Sequence, residues 1–346
     1  MDSAVYYYAN KEYQYSHARL MYEKLGGTFL VRDARHYFRF KWYFRHWPGI
    51  RVTFKDLNVD SLKGVILSMS NAPIRHDPSL CTTLFLGHGS GDKRYGGNAR
   101  NLLSYDFLLI SGGKQMAKLI DEELDIPEDK LIKVGNPRFD EYINNTIDRA
   151  ESARYLGIRD LDRKTILYAP TWRWGKGSLL THYQLFCKNL TKEFNLIIRP
   201  HFHERRLILK MKAWTVMNRI DHVYFSNPAQ IHRHDTMHDF VISDLLISDT
   251  SSIAYEYLIT RNPILIIETG FSDLHSMPPE LDINTVAAHF RLGNSFKIES
   301  LVHQMLSQNK SSQYVELLYN CFYYNDGKSA QRVTDFIQSL PVFKLV

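Results

Sequence analysis

Short apolar runs alternate with amphipathic segments along this chain, and that alternation constrains its fold more than any other feature. The runs are rich in Val, Ile, Leu and Tyr, as buried strands are, while the segments between them show helical spacing of apolar residues. Alternating strands and helices form parallel sheets with right-handed crossovers. A length of 346 residues is enough for two domains. We therefore predict an α/β chain of two doubly wound, Rossmann-like domains facing a cleft, over residues 1–150 and 151–346.

The predicted strands fall into two groups. The first domain contains Val5–Tyr8, Thr28–Val31, Val65–Ser68, Thr83–Leu86, Phe107–Ile110 and Leu131–Val134. The second contains Thr165–Ala169, Leu196–Arg199, His222–Phe225, Leu245–Ile247 and Ile264–Ile267. Predicted helices are His17–Leu25, Lys114–Leu124, Leu179–Glu193, Glu204–Met217, Ser251–Thr260 and a closing helix, Ala330–Leu340. A further helix is expected to begin at Arg138, and Ile143–Arg163 is predicted as a helix followed by a polar linker. Ligands of such folds bind at the carboxyl ends of the strands, so polar segments that follow strands are the candidate functional regions.

The segment Leu245–Leu258 is the most informative of these regions. An apolar strand ends in Ser248-Asp-Thr-Ser-Ser252, and a helical pattern begins at once. Backbone N–H groups at a helix start, together with hydroxyl groups, suit a phosphate. The same residues also suit an ordinary helix N-cap, and the segment alone leaves both interpretations open.

A glycine-rich loop, Gly87–Gly96, follows the Thr83–Leu86 strand. Its glycines let the backbone approach a ligand closely, and His88 supplies a base that works near neutral pH. Lys93 and Arg94 add positive charge. The alternative is a flexible surface loop, for which a histidine between two glycines is unusual.

Three further polar clusters follow predicted strands. They are Gly135-Asn-Pro-Arg-Phe-Asp140, Tyr168-Ala-Pro-Thr-Trp-Arg173 and Arg199-Pro-His201. The first is a turn signal. In the last, the guanidinium of Arg199 suits a phosphate, and His201 is a possible acid, base or hydrogen-bond donor.

Taken in order, these elements resemble the motifs of the CDP-glycerol glycerophosphotransferases, the teichoic-acid and capsule glycerol-phosphate primases and polymerases. The loop from His88 to Gly96 is similar to their His-Gly-Thr-Pro-Leu-Lys-x-x-Gly, and Gly135–Asp140 to their Gly-x-Pro-Arg-x-Asp. Tyr168–Arg173 matches their Tyr-Ala-Pro-Thr-Trp-Arg, and Arg199–His201 resembles their Arg-x-His. Ser248–Glu256 is similar to their Ser/Thr-Asp-Tyr-Ser-Ser-x-x-x-Asp.

The resemblance implies a GT-B-like fold, with an N-terminal acceptor domain and a C-terminal donor domain. It implies that an acceptor hydroxyl attacks the β-phosphorus of CDP-glycerol and that CMP leaves. The implied catalytic residues are His88, as general base, and His201, which with Arg199 stabilises the phosphates. The implied substrate-binding residues are Gly89, Ser90, Lys93, Arg138, Thr171, Trp172, Arg173, Arg199, Asp249, Thr250, Ser251, Ser252 and Glu256. The implied partners are a CDP-alcohol donor and a lipid-linked or glycan acceptor.

Departures from the family pattern leave the substrates open. Thr250 stands where the family has Tyr, Glu256 where it has Asp, and Gly91-Asp92 where it has Pro-Leu. One alternative is the same chemistry on CDP-ribitol, and another is a GT-B glycosyltransferase that uses a nucleotide sugar. All three functions need a basic diphosphate site and a histidine base.

A basic aromatic segment, Arg35–Trp47, suggests a further partner. It carries Arg35, Arg39, Lys41 and Arg45 and no acidic residue, and the whole chain has a net charge of +6. Such a segment suits an anionic membrane interface, single-stranded nucleic acid, or a core helix with its arginines in water. We expect contact with the cytoplasmic membrane face and no nucleic-acid binding. A membrane- or RNA-binding protein without enzymatic activity is the corresponding alternative function.

Other patterns predict no bound metal, cofactor or disulfide framework. Cys81, Cys187 and Cys321 are far apart and match no metal spacing. Asp160-Leu-Asp162 has the spacing of metal-dependent GT-A enzymes but precedes a strand, so we interpret it as a linker. The histidines of His232–His238 are of the type that binds zinc, but no cysteine or obvious carboxylate completes a ligand set, so we interpret this stretch as a surface loop. The N-terminus lacks a secretory pattern, and no apolar stretch is long enough to span a bilayer, so we expect a cytoplasmic protein.

Overall fold

Two parallel sheets organise the chain. The computed structural model describes residues 4–9, 11–31, 34–43, 45, 51–54, 59–95, 97–291, 297–308 and 311–345. The chain forms two compact units, unit 1 being Met1–His88, Arg94–Asn144 and Phe322–Val346, and unit 2 being Gly89–Lys93 and Asn145–Cys321. Each unit contains its own doubly wound sheet, so the predicted α/β class is confirmed.

Unit 1 contains a seven-stranded parallel sheet in the order β3-β2-β1-β4-β5-β6-β7. The strands are β1 (Val5–Tyr8), β2 (Thr28–Val31), β3 (Arg51–Phe54), β4 (Gly64–Ser68), β5 (Cys81–Phe85), β6 (Phe107–Ile110) and β7 (Leu131–Lys133). The helices are α1 (Arg19–Leu25), α2 (Ala34–Tyr43), α3 (Gly113–Asp121) and α4 (Phe139–Ile143). The chain continues from β1 to β2 on one side and adds β4 on the other, so the switch point lies between β1 and β4.

Unit 2 contains a six-stranded parallel sheet in the order β10-β9-β8-β11-β12-β13. The strands are β8 (Thr165–Tyr168), β9 (Asn195–Ile198), β10 (Val223–Phe225), β11 (Leu245–Ser248), β12 (Ile264–Ile267) and β13 (Ala288–Phe290). The helices are α5 (Arg149–Leu156), α6 (Leu179–Leu190), α7 (Leu207–Met217), α8 (Thr236–Ile242), α9 (Ile253–Glu256), α10 (Ile298–Ser307) and α11 (Ser311–Cys321). Its switch point lies between β8 and β11.

The central strands are buried on both faces, which explains why they read as continuous apolar runs. In unit 1, Tyr8, Ile66 and Leu108 belong to one buried cluster. In unit 2, Ile166 and Leu245 pack with residues of α6 and α10. Burial of these side chains is the main source of stability in each unit.

The C-terminal segment returns to unit 1, where it adds the last helix, α12 (Ser329–Ser339). Asp140 accepts the backbone N–H groups of Ser329 and Ala330 at 3.0 and 2.7 Å, and so caps this helix. Gly135 packs against Ser329 so closely that no Cβ atom fits there, and its φ of +83° favours glycine. The units therefore differ from the predicted division at residue 150. Residues 322–346 belong to unit 1, because contacts distant in sequence hold them there, whereas residues 89–93 and 145–150 belong to unit 2.

The strands predicted from sequence all form close to their predicted bounds, whereas some other elements differ. The pattern missed the edge strands β3 and β13 and the helices α8, α10 and α11. The predicted helix Ser251–Thr260 is only partly α-helical, because α9 ends at Glu256 and Tyr257–Thr260 continues as a 3-10 helix.

Candidate active site

His88 lies at the switch point of the unit 1 sheet. It follows β5 and contacts the carbonyl of Met69, which follows β4. It also contacts Gln14, which lies in a 3-10 helix (Glu12–His17) after β1. Because parallel strands bring their carboxyl ends to one edge, these three segments meet although they are far apart in sequence.

The hydrogen bonds of His88 define the tautomer of its ring. Gln14 Oε1 accepts the Lys11 N–H at 3.1 Å, which directs the Gln14 amide nitrogen toward His88 Nε2 at 2.9 Å. The amide donates, so Nε2 is the acceptor and Nδ1 carries the proton donated to Met69. Burial lowers the pKa of His88 and the Lys118 ammonium acts in the same direction, while the Met69 hydrogen bond opposes both. A neutral imidazole with its lone pair on Nε2 is the form that a general base requires.

Asp249 organises the switch point of the unit 2 sheet. One of its oxygens accepts the Thr171 N–H at 2.7 Å, and the other accepts the N–H and the hydroxyl of Ser178, each at 2.9 Å. Thr171 follows β8 and Asp249 follows β11, the two strands that flank the switch point. Burial raises the pKa of Asp249, and these hydrogen bonds act against that effect. The carboxylate therefore holds the two loops together, a role that the family motif did not indicate.

The segment Gly89–Lys93 packs against the turn that follows β11. A Cβ atom on Gly91 would lie 3.1 Å from both Cα and N of Ser252, so the two backbones approach closely. The Lys93 ammonium donates a hydrogen bond to Thr171 Oγ1. Lys93 and Thr171 are thus in direct contact, and Ser252 packs against the same short segment. We call these three residues the Lys93 cluster.

A pocket with about 860 Å³ of empty space, part of it open to solvent, adjoins the Lys93 cluster. Asp249, Thr250 and Ser251 line its polar side. The rest of the wall combines two kinds of residue. The apolar and aromatic ones are Ala254, Tyr255, Ile266, Ile267, Phe271, Leu274 and Ile283, and the polar and charged ones include Asp92, Glu268, Asn284, His289 and Arg291. A concavity that offers both apolar surface and polar groups suits a small organic ligand.

Trp172 forms an aromatic group with two histidines. Its ring centroid lies 5.8 Å from that of His201 and 4.5 Å from that of His203, and it stacks on Trp174 at 6.0 Å. His201 Nδ1 accepts the His203 N–H at 3.3 Å, so in the neutral ring the proton is on Nε2. His201 is therefore oriented as a hydrogen-bond donor through Nε2. Arg173, between the two tryptophans, is exposed.

Arg199 lies in a buried ion-pair network. Its Nη1 donates to Asp239 Oδ2 at 2.9 Å and to Ser226 Oγ at 2.6 Å. The other Asp239 oxygen lies 2.7 Å from His234 Nε2, and the His234 ring stacks on Tyr155 at 4.9 Å. Although burial acts to raise it, His234 and Arg199 hold the pKa of Asp239 below its ordinary value. The Nη1 side of the Arg199 guanidinium is thus engaged by protein acceptors.

Comparison with known proteins is consistent with this geometry. The family model for CDP-Glycerol:Poly(glycerophosphate) glycerophosphotransferase matches residues 87–339. The chain belongs to this family. A solved structure of the wall teichoic acid polymerase TagF superposes with a TM-score of 0.70 at 16% identity, over 99% of this chain and 90% of that chain. The fold is therefore GT-B-like, as the resemblance implied.

Two curated relatives are longer than this chain and match only part of it. The first is the teichoic acid glycerol-phosphate primase of Bacillus subtilis, with 26% identity over 238 residues. The matched residues are 68% of this chain and 58% of that primase. The second is the teichoic acid ribitol-phosphate primase of Bacillus spizizenii, with 27% identity over 258 residues. The matched residues are 68% of this chain and 60% of that primase. The chain thus spans less than two thirds of the length of either relative.

The other family-motif residues are divided between the units. Arg138 is buried in unit 1, the unit that also contains His88. In unit 2, Ser90 and Thr250 are half-buried, and the Thr250 hydroxyl donates to the Gly175 carbonyl at 3.4 Å. Glu256 is buried at the end of α9.

Two residues that contact the site were missed by sequence reasoning. Gln14 lies in a region outside the family motifs, and nothing in the sequence connects it with His88. Ser178 precedes a predicted helix and so reads as an N-cap. In the structure its hydroxyl donates to Asp249 and contacts Tyr168 instead.

The two sequence patterns weighed as metal sites have other roles. Asp160 Oδ1 accepts the Asp162 N–H at 3.2 Å in the turn before β8, in agreement with the linker interpretation. The prediction of a surface loop over His232–His238 is wrong for His234, which is buried against Asp239. Among the residues that the structure describes, no group of three or more His, Cys, Asp and Glu is placed to hold a metal ion. In the same part of the chain, no helix is both long enough and apolar enough to cross a membrane.

Proposed function

We propose that this chain transfers glycerol phosphate from CDP-glycerol to a hydroxyl group of a lipid-linked or glycan acceptor and releases CMP, in the synthesis of a teichoic acid or capsule polymer. The observation that carries the proposal is the Lys93 cluster at the switch point of the unit 2 sheet. A diphosphate is stabilised best by cationic and hydroxyl donors that are in place before it binds, and this cluster supplies both.

We assign the donor diphosphate to the Lys93 cluster with Ser251, and the nucleoside to the adjoining pocket. Because α9 is a single helical turn, its dipole contributes less than the longer predicted helix, and Lys93 supplies the main compensating charge. Burial lowers the pKa of Lys93, and a bound phosphate would favour its ammonium form. Glu256, which the family resemblance suggested as a partner for the ribose hydroxyls, is buried and does not line this pocket, so we assign it no contact with the nucleoside.

In the proposed reaction His88 acts as the general base. The acceptor hydroxyl replaces the Gln14 amide at Nε2 and gives its proton to that nitrogen as its oxygen bonds to the β-phosphorus. The bond from that phosphorus to the bridging oxygen breaks, and CMP leaves with the electron pair. His201, through its Nε2 proton, donates to a phosphate oxygen as charge develops there. Phosphoryl transfer depends mostly on positioning and charge stabilisation, which these residues provide.

CDP-ribitol is the second candidate donor, and the ribitol-phosphate primase relative is the observation that favours it. The two donors share the cytidine diphosphate, so the Lys93 cluster does not discriminate between them. The discrimination has to come from the alcohol end of the donor.

We further propose that helix α2 brings the enzyme to an anionic membrane. Arg35, Phe38 and Trp42 follow one another at helical spacing on α2, and the two rings are 69% and 61% exposed. Arg45 lies just beyond the end of the helix and is exposed. Lys41 is exposed as well. Residues 44, 46 and 47 of the predicted segment lie outside the described residues. An exposed stripe of rings and cations supports the membrane interpretation over a core helix.

The transferase proposal is tested by offering the purified protein CDP-glycerol, CDP-ribitol and a nucleotide sugar, each with a lipid-linked acceptor. We expect CMP release from a CDP-alcohol, and phosphorus NMR should show a phosphodiester in the product. Lys93→Met should abolish most of the turnover. Lys164→Met is the control, because Lys164 precedes β8 at the opposite end of the strand from the site. Turnover of the nucleotide sugar alone, with a glycosidic product, would refute the proposal.

The membrane proposal is tested by replacing Arg35, Arg39, Lys41 and Arg45 with Gln, here called the α2 variant. Each cation near an anionic surface contributes about 1 kcal/mol, so binding to anionic vesicles at low salt should fall strongly. Turnover of a soluble acceptor should be unchanged. Equal vesicle binding by the wild type and the α2 variant would exclude α2 as the contact.

A further inference from the structure

Helix α7 in unit 2 has an apolar outer face. Leu209, Val216 and Met217 are 77%, 76% and 82% exposed. Together with the exposed residues Arg206, Lys210 and Ala213, they recur at intervals of three and four and so lie on one side of the helix. A surface stripe of this kind in a folded unit indicates an interaction site.

The opposite side of α7 anchors the helix to its own unit. Ile208 and Met211 are buried in the unit 2 core. Trp214 packs edge-on against Tyr183, with ring centroids 5.4 Å apart. The inner side of α7 thus already packs against unit 2, and the outer apolar side chains do not contribute to that packing.

The charge around this face is of one sign. The helix and its ends carry Arg205, Arg206, Lys210, Lys212 and Arg219, and no acidic residue occurs between Glu204 and Asp221. All of these cations except Arg205 are exposed. Exposed aliphatic side chains interspersed with cations are typical of helices that lie at a membrane interface, where the former enter the acyl boundary and the latter meet anionic headgroups.

We propose that the outer face of α7 is a membrane-docking surface that binds anionic lipid bilayers. The contact is separate in sequence and in unit from α2, and the inference does not rest on the proposed transferase activity. A protein partner is less compatible with this face, because interface cores are depleted in lysine whereas Lys210 lies within the face and Lys212 lies beside it.

The test measures vesicle binding in the α2 variant, so that the remaining affinity reports on α7. Two pairs of substitutions are added separately, Leu209→Ser with Met217→Ser, and Lys210→Gln with Lys212→Gln. Ile120→Ser is the matched control, since Ile120 is 72% exposed on α3 but is followed by acidic residues, Asp121, Glu122 and Glu123. Vesicles of phosphatidylglycerol with phosphatidylcholine are compared with phosphatidylcholine alone, each at low and high salt.

We expect Lys210→Gln with Lys212→Gln to lower the partition coefficient on anionic vesicles about 25-fold at low salt, which is about fivefold for each charge removed. At high salt the same substitutions should change the partition coefficient little. The Leu209 and Met217 pair should weaken binding at both salt concentrations, because burial of apolar surface is not screened. Ile120→Ser should bind as its parent does.

Three results would overturn the proposal. The first is an α2 variant that no longer binds anionic vesicles at all, since α7 is intact in it. The second is unchanged binding by both pairs. The third is a Leu209→Ser with Met217→Ser variant whose oligomeric mass in sedimentation velocity changes while its vesicle binding does not. That result would assign the face to a second copy of the chain.

Discussion

Gly175→Ala is expected to weaken donor binding without unfolding the protein, because the new methyl group would displace the Lys93 ammonium. A Cβ atom at Gly175 would lie 2.8 Å from Lys93 Cε and closer still to Nζ. Ordinary contacts between heavy atoms are about 3.5–4.0 Å, so the end of the lysine has to move by about 1 Å. The lysine is flexible, and the backbone of Gly175 lies in a 3-10 helix that alanine also adopts. Stability should therefore change little.

The size of the effect follows from what Lys93 contributes. A charge-assisted hydrogen bond is worth about 1.5–3 kcal/mol, so Lys93→Met should raise the dissociation constant of CDP-glycerol about 10- to 150-fold. Gly175→Ala should approach that value. The double variant should bind no more weakly than Lys93→Met alone, because both changes remove the same interaction.

Calorimetric titration with CDP-glycerol measures these affinities, and urea unfolding measures stability. Lys164→Met is the control and should bind within about twofold of the wild type. Additive losses in the double variant would show that Gly175 acts on the donor independently of Lys93. Normal donor affinity in Gly175→Ala would place the diphosphate away from the Lys93 cluster.

Four further predictions concern unit 1. His88→Ala should reduce turnover about 10²- to 10⁴-fold with little change in the urea midpoint, because a general base contributes that factor. In the wild type, kcat/KM should rise with pH and level off with a midpoint below about 6.5, the ordinary histidine pKa, since burial lowers the pKa of His88 and the neutral form is active. Lys118→Met should move that midpoint to higher pH, and a midpoint that stays in place would exclude the lysine as a cause. Asp140→Ala should lower the free energy of unfolding in urea by about 1–3 kcal/mol, because the backbone N–H groups of Ser329 and Ala330 lose their acceptor. An unchanged free energy would show that another group caps α12.

The sequence alone was sufficient for the α/β class, for the central strands and for the family. Fully buried parallel strands must be apolar along their whole length, so β1, β4, β8 and β11 stand out in any window of the chain. Edge strands lack that requirement. The pattern missed the edge strands β3 and β13, although it found the other two, β7 and β10. The family motifs were visible because their polar residues directly follow apolar strands. At such positions neither core packing nor the periodicity of a helix or strand explains residues such as His88 and Ser252.

What the tertiary structure decided is which residues act together. Asp249 reads as part of a phosphate motif, yet its oxygens accept hydrogen bonds from loops that follow another strand. Gln14 defines the His88 tautomer across 74 positions of sequence, and the C-terminal helix joins unit 1 through Asp140. Sequence patterns report the periodicity of one segment at a time, whereas these contacts depend on the order in which strands pair. The strand order is determined by the packing of the whole sheet, so it is seen only in the folded chain.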